Sequence, residues 1–582
     1  MFLEIEAGLT VIVLVLAFLA PNLGSPWFEA AERRFSRLAR RRGLSVIVVG
    51  LTALALRAAL LPILPIPQPG FRDEFGYLLL SDTFAHGRLA NPTHPMWVHF
   101  ETLFVIWQPT HSGIYYPAQG LIMAFGQVVM GHPFWGVWLS VGLMCAAITW
   151  MLQGWLEPGW ALLGGFLAVI RFGTFNYWAN SYWGGAVAAL GGALVLGALP
   201  RLKKDLRVRH ALLMGLGLAI LANSRPYEGL FFGIPVAVVL LIWLWKMKGA
   251  QIGRALKHAM VPLFAVLALT LLAMGYYFWR TTGSPFRPPY MVCGYEYSPV
   301  PAFPWQSLRP YPHYRHPEFE RYYRHFEATY YDPSQTVEGR VEEEMGRSLL
   351  FWTFFLSPVF TLPLVLAFVD LPLGFSWRDI GPDTRFLLVE CGAVIGANML
   401  PIFYETHYSA PITCGILALV LMALRRLRGL QWRGGSAGRF LSRAVPAICV
   451  LLLALRVAIA PLGLPSDNLA AGAGLPTWCW LSRQNLRRAA ILSQLKERPG
   501  SQLVIVHYNL DDYATGFEWV YNRANLNSAK VIWARDMGPA KNQELIDYYK
   551  HRSVWLLDAD TQPPKLAPYP EAADPETPAG RH

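Results

Sequence analysis

Charged side chains are scarce. Asp, Glu, Lys and Arg make up 15% of the 582 residues, against about 25% in an average soluble domain. A single water-soluble core of ordinary composition is therefore excluded. Low hydrophobicity is missing too: 54% of residues are hydrophobic and the mean hydropathy is +0.31. A disordered chain is excluded on that ground. Cysteine is sparse, with 6 residues. Cys145, Cys293, Cys391, Cys414, Cys449 and Cys479 form no CxxC or CxxH spacing, and four of them lie in apolar runs, so neither a zinc site nor a disulfide framework is indicated. No glycine-rich phosphate loop follows a strand-like segment, and no period of about 20–50 residues marks a solenoid.

Aromatic residues, by contrast, are plentiful. They make up 14% of the chain, with 22 Trp and 25 Tyr, which suits side chains held at a lipid–water boundary. Long apolar runs recur at 6–23, 44–65, 132–152, 159–175, 183–199, 211–224, 229–246, 260–279, 349–369, 386–404, 408–424 and 443–463. About 17–25 such residues span a hydrocarbon layer, so the pattern predicts about twelve transmembrane helices. The pair 211–224 and 229–246 is short and joined by an Arg-Pro turn.

The basic residues give the orientation. They cluster in 24–43 (Arg33, Arg34, Arg37, Arg40, Arg41, Arg42) and in 200–210 (Arg201, Lys203, Lys204, Arg207, Arg209). Further groups follow the seventh span (Lys246, Lys248, Arg254, Lys257) and the eleventh (Arg425, Arg426, Arg428, Arg433, Arg439, Arg443). If the spans alternate, all four groups fall on one side, which the positive-inside rule makes the cytoplasm. Much of the net charge of +12 is thus a topology signal. The partner it implies is a lipid bilayer, not nucleic acid. The segment before the first run, Met1 to Glu6, is acidic and basic residues follow the run. It therefore reads as an N-out span rather than a cleaved signal peptide.

This topology divides the chain into a membrane domain at 1–463, with outer loops at 66–131 and 280–348, and an outer domain at 464–560. Within the latter, 481–498 reads as an amphipathic helix, 503–506, 530–533 and 553–557 as short strands, and 542–550 as a helix. Strands alternating with helices predict a small parallel α/β unit, read as a docking or capping domain. Asp511-Asp512 reads as a turn. The Pro-, Ala- and Glu-rich residues 561–582 are expected to be a disordered tail.

One outer segment carries candidate chemistry. Phe71-Arg72-Asp73-Glu74-Phe75-Gly76-Tyr77 places two adjacent carboxylates just beyond the second run, at headgroup level. Charge near lipid is costly unless paired or hydrated, so a doublet there is either a cap satisfied by Arg72 and water or a functional site. The loop after it is rich in groups that suit a carbohydrate or a phosphate, among them His94, Trp97, Tyr115 and Tyr116. Aromatic faces pack on sugar rings, and imidazoles bond hydroxyls. Residues 118–131 read as a half-buried interfacial helix.

The Asp-Glu doublet opening the first large outer loop, the DEFGYL string and the Tyr-Pro element at Tyr116-Pro117 resemble the GT-C glycosyltransferases. Within them, the chain is similar to bacterial relatives of the protein O-mannosyltransferases and of the aminoarabinose transferases of lipid A (the glycosyltransferase 39-like group). The resemblance covers roughly 44–280 and, through the many-span plan with an outer C-terminal domain, extends to the whole chain. It implies a multi-pass protein of the inner (plasma) membrane, with its active site and C-terminal domain on the extracytoplasmic (periplasmic) side. The donor would be a polyprenyl-phosphate sugar and the acceptor a hydroxyl or amine on a lipid, glycan or protein. Asp73 would be the general base for an inverting attack, with Glu74 holding the acceptor or orienting its neighbour. A phosphate leaving group requires a cation on that face. Arg225, in Asn223-Ser224-Arg225-Pro226, and Arg171, at the end of the fourth run, are the candidates, each alternatively a snorkelling arginine or one paired with Glu228. His407 and Tyr408, in Tyr404-Glu405-Thr406-His407-Tyr408, would line the cavity, His407 as a phosphate donor. Several relatives carry a further acidic residue in the loop corresponding to 175–185, and this chain has none there.

No cofactor is expected. His94, His99, His111 and His407 are the residues that would have to join Asp73 around a divalent ion, and no pair of them has a helical ligand spacing. The alternatives are an oligosaccharide ligase or polymerase acting on lipid-linked glycans, a secondary transporter, or a membrane scaffold. The long outer loops and the lack of matching halves argue against the transporter.

Overall fold

The computed structural model describes residues 2–369, 376–432, 434–459, 477–482, 484–509 and 517–570. The expected domain boundary at 463, the Asp511-Asp512 pair and residues 571–582 lie outside the described residues. Each apolar run carries a helix. The first ten helices of interest are α1 (Phe2–Leu19), α2 (Ser25–Arg40), α3 (Arg42–Ala59), α4 (Arg72–Ala85), α5 (Pro117–Met130), α6 (Phe134–Leu152), α7 (Pro158–Phe172), α8 (Ala186–Asp205), α9 (Val208–Ala222) and α10 (Pro226–Trp245). Apolar helices follow at Ala250–Thr282, Val337–Phe368, Pro382–Asn398, Thr406–Leu427 and Ala437–Ile459.

Among the described residues, 9 helices have the length and hydropathy to cross a membrane, rather than twelve. α7 and α9 have 15 residues each and Pro382–Asn398 has 17. At 1.5 Å per residue such helices rise only about 22–26 Å, short of a ~30 Å core. α9 stops early because Pro226 starts the next helix two residues after Ser224, fixing a turn where the apolar pattern runs on.

Burial separates centre from rim. The windows of Thr406–Leu427, α8 and α6 are 78%, 72% and 67% buried, whereas those of α1 and Ala250–Thr282 are 22% buried. The rim helices turn Val11, Leu19, Leu230, Leu241, Leu269 and Leu272 outward. In water that surface would drive aggregation, and in lipid it is solvated. Small residues bring backbones together inside the bundle. A Cβ on Gly126 of α5 would stand 2.0 Å from the Gly136 nitrogen of α6.

The two ends of the bundle differ. The basic segments touch one another: Glu32 of α2 accepts from Arg428 at 2.9 Å and from Arg443 at 3.0 Å, and Glu157 pairs with Arg425 at 2.7 Å. At the other end, the buried Arg171 guanidinium of α7 faces Glu6 of α1 at 3.5 Å and donates to the Ser357 hydroxyl at 3.0 Å. Glu6 also accepts from the Ser357 hydroxyl and from the Trp478 indole at 3.1 Å.

Beyond that end lies the C-terminal sheet. Strands β3 (Ser501–His507), β4 (Val531–Arg535), β5 (Arg552–Asp558) and β6 (Lys565–Pro568) stand in the order β4-β3-β5-β6. β4, β3 and β5 are parallel, and β6 is antiparallel to β5. Helices Leu486–Glu497 and Pro539–Tyr548 accompany them. β6 falls where the composition suggested the start of a disordered tail. Its one proline, Pro568, is tolerated because β6 is an edge strand. Leu566 pairs with Leu557 and packs on the sheet's core, and the Tyr569 nitrogen bonds the Val554 carbonyl at 3.0 Å.

The sheet is fastened to the 66–131 segment. The Ala524 nitrogen donates to Asp82 at 2.9 Å, Thr102 to the Val520 carbonyl at 2.6 Å, and Arg535 to the Glu101 carbonyl at 2.6 Å. Phe75 and Tyr521 stack at 4.6 Å. The 280–348 loop closes on the same segment. Buried Glu101 accepts from Tyr297 at 2.6 Å and from Arg315 at 3.0 Å, with His316 also at 3.0 Å.

Candidate active site

α4 begins at the acidic doublet, and its two carboxylates face different surroundings. Glu74, 1% exposed, folds back over its own helix end. Its Oε2 accepts from the Gly70 nitrogen at 2.8 Å and the Phe71 nitrogen at 3.1 Å, and its Oε1 from the Tyr182 nitrogen at 3.1 Å. These are otherwise orphaned backbone donors. Glu74 therefore ties the start of α4 to the aromatic turn 173–185. Burial pushes its carboxyl up to about 7, with the three backbone bonds opposing and Asp73 adding to the rise.

Asp73, one residue earlier, is only half-buried and turns the other way. The Tyr115 hydroxyl donates to its Oδ1 at 2.5 Å. Burial raises the Asp73 carboxyl above its ordinary value. The Tyr115 bond and the nearby charges of Arg72 and Arg225 hold that rise back.

Tyr115 reaches Asp73 because two glycines let the chain pass close to α4. A Cβ on Gly113 would lie 2.3 Å from the Gly76 carbonyl oxygen, and one on Gly76 would lie 2.8 Å from the Tyr115 ring. The short ribbon of β1 (Val105–Ile106) and β2 (Ser112–Gly113) thus lies directly on α4. The Tyr115 ring stacks on Tyr77 at 4.0 Å and 13°.

Arg225 stands at the N-cap of α10, near enough to act on the charge of Asp73. Its guanidinium lies 4.4 Å from the centre of the Tyr408 ring, a cation–π contact. Among the described residues no carboxylate pairs with it within salt-bridge distance. Burial works against its charge, but Tyr77, Tyr408, Glu228 and Tyr177 outweigh burial and hold it above its ordinary value. Glu405 is exposed by area yet sits deep enough that burial pushes its carboxyl up to about 7, with Asp73 adding to the rise and Arg225 opposing it. A half-accessible carboxylate, a cation and a second carboxyl thus share one deep crevice. His407, buried beside it, shares a hydrogen bond with the Tyr177 hydroxyl at 3.0 Å. Next to the crevice, Tyr290 and Glu327 line a cavity of about 420 Å³ under the 280–348 loop. Burial pushes Glu327 up to about 7, opposed by the Ser298 hydroxyl that donates to it at 2.5 Å.

The structure therefore gathers Asp73, Tyr115, Arg225, His407 and Tyr408 and leaves the other candidates elsewhere. Arg171 is enclosed by Glu6, Ser357, Phe360 and Trp478. His94 bonds Asn527 at 3.0 Å and the Tyr549 hydroxyl at 3.1 Å in the C-terminal domain. Trp97 lies under Arg315 at 4.7 Å. Tyr116 turns towards Phe278 on Ala250–Thr282, ring centres 6.0 Å apart. His99 is buried beside His316 and Lys541, and His111 stacks on Trp107 at 3.7 Å. Among the described residues no three His, Cys, Asp or Glu side chains converge as a metal ion would need. Tyr77, Tyr177 and Glu405, which lie in segments legible in the sequence but without a role of their own there, join the crevice, and Tyr290 and Glu327 join its neighbouring cavity. Glu405 carried the one available signal, a carboxylate emerging beside an apolar run.

No family model matches the sequence, and no curated protein matches it. The chain is similar in structure to GT-C glycosyltransferases. One is the oligosaccharyltransferase of Archaeoglobus fulgidus in the apo form, at 10% identity, TM-score 0.48, over 89% of this chain and 69% of that one. The same enzyme tethered to an acceptor peptide containing the NVT sequon gives 11% identity and TM-score 0.46 over the same shares. Another is ArnT from Cupriavidus metallidurans in the apo state, at 11% identity, TM-score 0.41, over 88% of this chain and 91% of that one.

Proposed function

We propose that this chain is a multi-pass membrane glycosyltransferase. It moves a sugar from a polyprenyl-phosphate donor to an acceptor hydroxyl or amine, with inversion, at the extracytoplasmic end of the bundle. One observation carries the reading: a carboxylate that burial makes more basic and a cation that no carboxylate among the described residues pairs with at salt-bridge distance share one crevice.

The chemistry follows from that pair. Arg225, backed by the Tyr408 ring, holds the donor's phosphate. Tyr115 occupies Oδ1 of Asp73 and leaves Oδ2 for the acceptor's O–H or N–H. As Asp73 takes that proton, the acceptor bonds to the anomeric carbon from the face opposite the phosphate. The carbon–oxygen bond to phosphate breaks, and the electron pair leaves on the phosphate beside Arg225. A positioned base of this kind contributes about 10²–10⁴ in rate. Glu74 is a positioning residue: it fixes the start of α4 and so the direction of Asp73.

The test is incubation of the purified protein with radiolabelled polyprenyl-phosphate sugars and envelope fractions. Wild type is expected to label one fraction. Asp73→Asn is expected to lose transfer by about 10²-fold or more while keeping the wild-type thermal midpoint. Equal labelling by both proteins on every donor would overturn the reading.

A further inference from the structure

A second cavity, of about 530 Å³, opens between α4, the α5–α6 turn and the C-terminal domain. It lies on the far side of α4 from Asp73: Leu78 and Asp82, on the turns after Glu74, form its floor. Its walls carry Arg488, Lys496, Arg523 and Lys530 against one carboxylate, Asp82. That carboxylate is already engaged, by the Gln127 amide at 2.8 Å and the Ala524 nitrogen at 2.9 Å. Arg488 is buried and held by the Trp519 and Tyr521 carbonyls at 2.9 and 3.1 Å, so its charge is fixed in the wall. Lys530 donates to the Lys496 carbonyl at 2.5 Å. The Lys496 ammonium and the Arg523 guanidinium have no acidic partner among the described residues, and both are exposed. Burial first, and then the charges of Arg523 and Arg488, hold Lys496 below its ordinary value.

The cavity also touches the apolar surface. Gln127, Gly131, His132 and Pro133 form its edge at the end of α5. The adjoining face of α5 presents Leu121, Phe125, Val128 and Val129 outward, between 52% and 67% exposed. A short apolar helix with one face bare is built to lie against acyl chains. A basic pocket at the end of such a face is complementary to a headgroup whose tail lies along the helix.

We propose that this cleft is a binding site for a phosphate-bearing lipid. The phosphate sits among Arg488, Lys496, Arg523 and Lys530, and the acyl chains lie on the outer face of α5. The ligand bridges the membrane bundle and the C-terminal domain. The site is separate from the crevice of Asp73, and its test does not depend on sugar transfer.

Native mass spectrometry of the full chain in detergent reads the binding directly. The probes are dihexanoyl phosphatidic acid, dihexanoyl phosphatidylcholine and inorganic phosphate. Phosphatidic acid is expected to bind best and inorganic phosphate least. The double variant Lys496→Ala/Arg523→Ala is expected to bind phosphatidic acid about tenfold or more weakly. Asp73→Asn is expected to bind it as wild type does. Both altered side chains are exposed, so the double variant should melt with the wild type, and the single charge reversal Arg523→Glu should weaken binding on its own. Unchanged affinity in both variants would overturn the site. Inorganic phosphate binding as tightly as phosphatidic acid would overturn the lipid.

Discussion

Tyr115 touches Asp73 directly, and its effect has a definite sign. Its hydroxyl stabilises the ionised carboxylate and so opposes the rise that burial imposes. Tyr115→Phe removes that opposition, and Asp73 then holds its proton to higher pH. If Asp73 is the base proposed above, it works only when deprotonated, so the acid limb of a kcat/KM–pH profile should move to higher pH by about one unit. An unmoved limb would separate Tyr115 from the base. The pairing itself was hidden in the sequence. The two residues stand 42 positions apart, and nothing in spacing alone says that a strand will lie on α4. The DEFGYL string was visible, but the reason for its glycine was not. The same blindness applies to Arg171. An arginine at the end of an apolar run looks the same whether a phosphate awaits it or, as here, a glutamate from the first helix.

At the level of elements, the approach of β2 to α4 depends on Gly76 and Gly113. Gly76→Ala would drive a methyl into the Tyr115 ring. Overpacking of this kind costs about 1–3 kcal/mol, to be read as a lower thermal midpoint, with transfer falling as Tyr115 is pushed off Asp73. The 280–348 loop hangs on Glu101. Burial alone would raise that carboxyl, but the His316 and Tyr297 bonds and the His316 and Arg315 charges outweigh burial and hold it below its ordinary value. The unfolded group titrates near about 4.3. Its stabilisation is therefore full above that pH and is lost as pH falls through the lowered folded value. Glu101→Gln should cost about 1–3 kcal/mol at neutral pH, and the gap from wild type should close in strong acid. Limited proteolysis of the 280–348 loop across pH would show it. The helical spans were legible because hydrocarbon thickness imposes length on apolar runs. Their ends were not, because Pro226 and the aromatic turn after α7 end helices where hydropathy continues.

For the whole molecule, charge placement was the most informative part of the sequence. Two of the four basic segments that alternation put on one side, 24–43 and the one after the eleventh run, meet through Glu32 with Arg428 and Arg443. All six cysteines are buried, so a single introduced thiol reports its own side of the membrane with little background. Gln335→Cys should react with an impermeant maleimide on intact cells, and Lys204→Cys only after lysis. The reverse pattern would invert the proposed orientation. The C-terminal sheet was legible as alternating strands and helices, but its edge strand was not, since Pro-rich composition resembles a loose tail until Leu566 finds its partner.

The meeting of Glu6, Arg171, Ser357 and Trp478 bears on biosynthesis. The ribosome delivers the acid first, the guanidinium next, the hydroxyl later and the indole last. Until residue 478 has been made, the bundle must hold this knot incomplete. Nascent chains arrested before that point are expected to stay susceptible to quality-control proteolysis, with the full-length chain escaping once the indole closes over the pair.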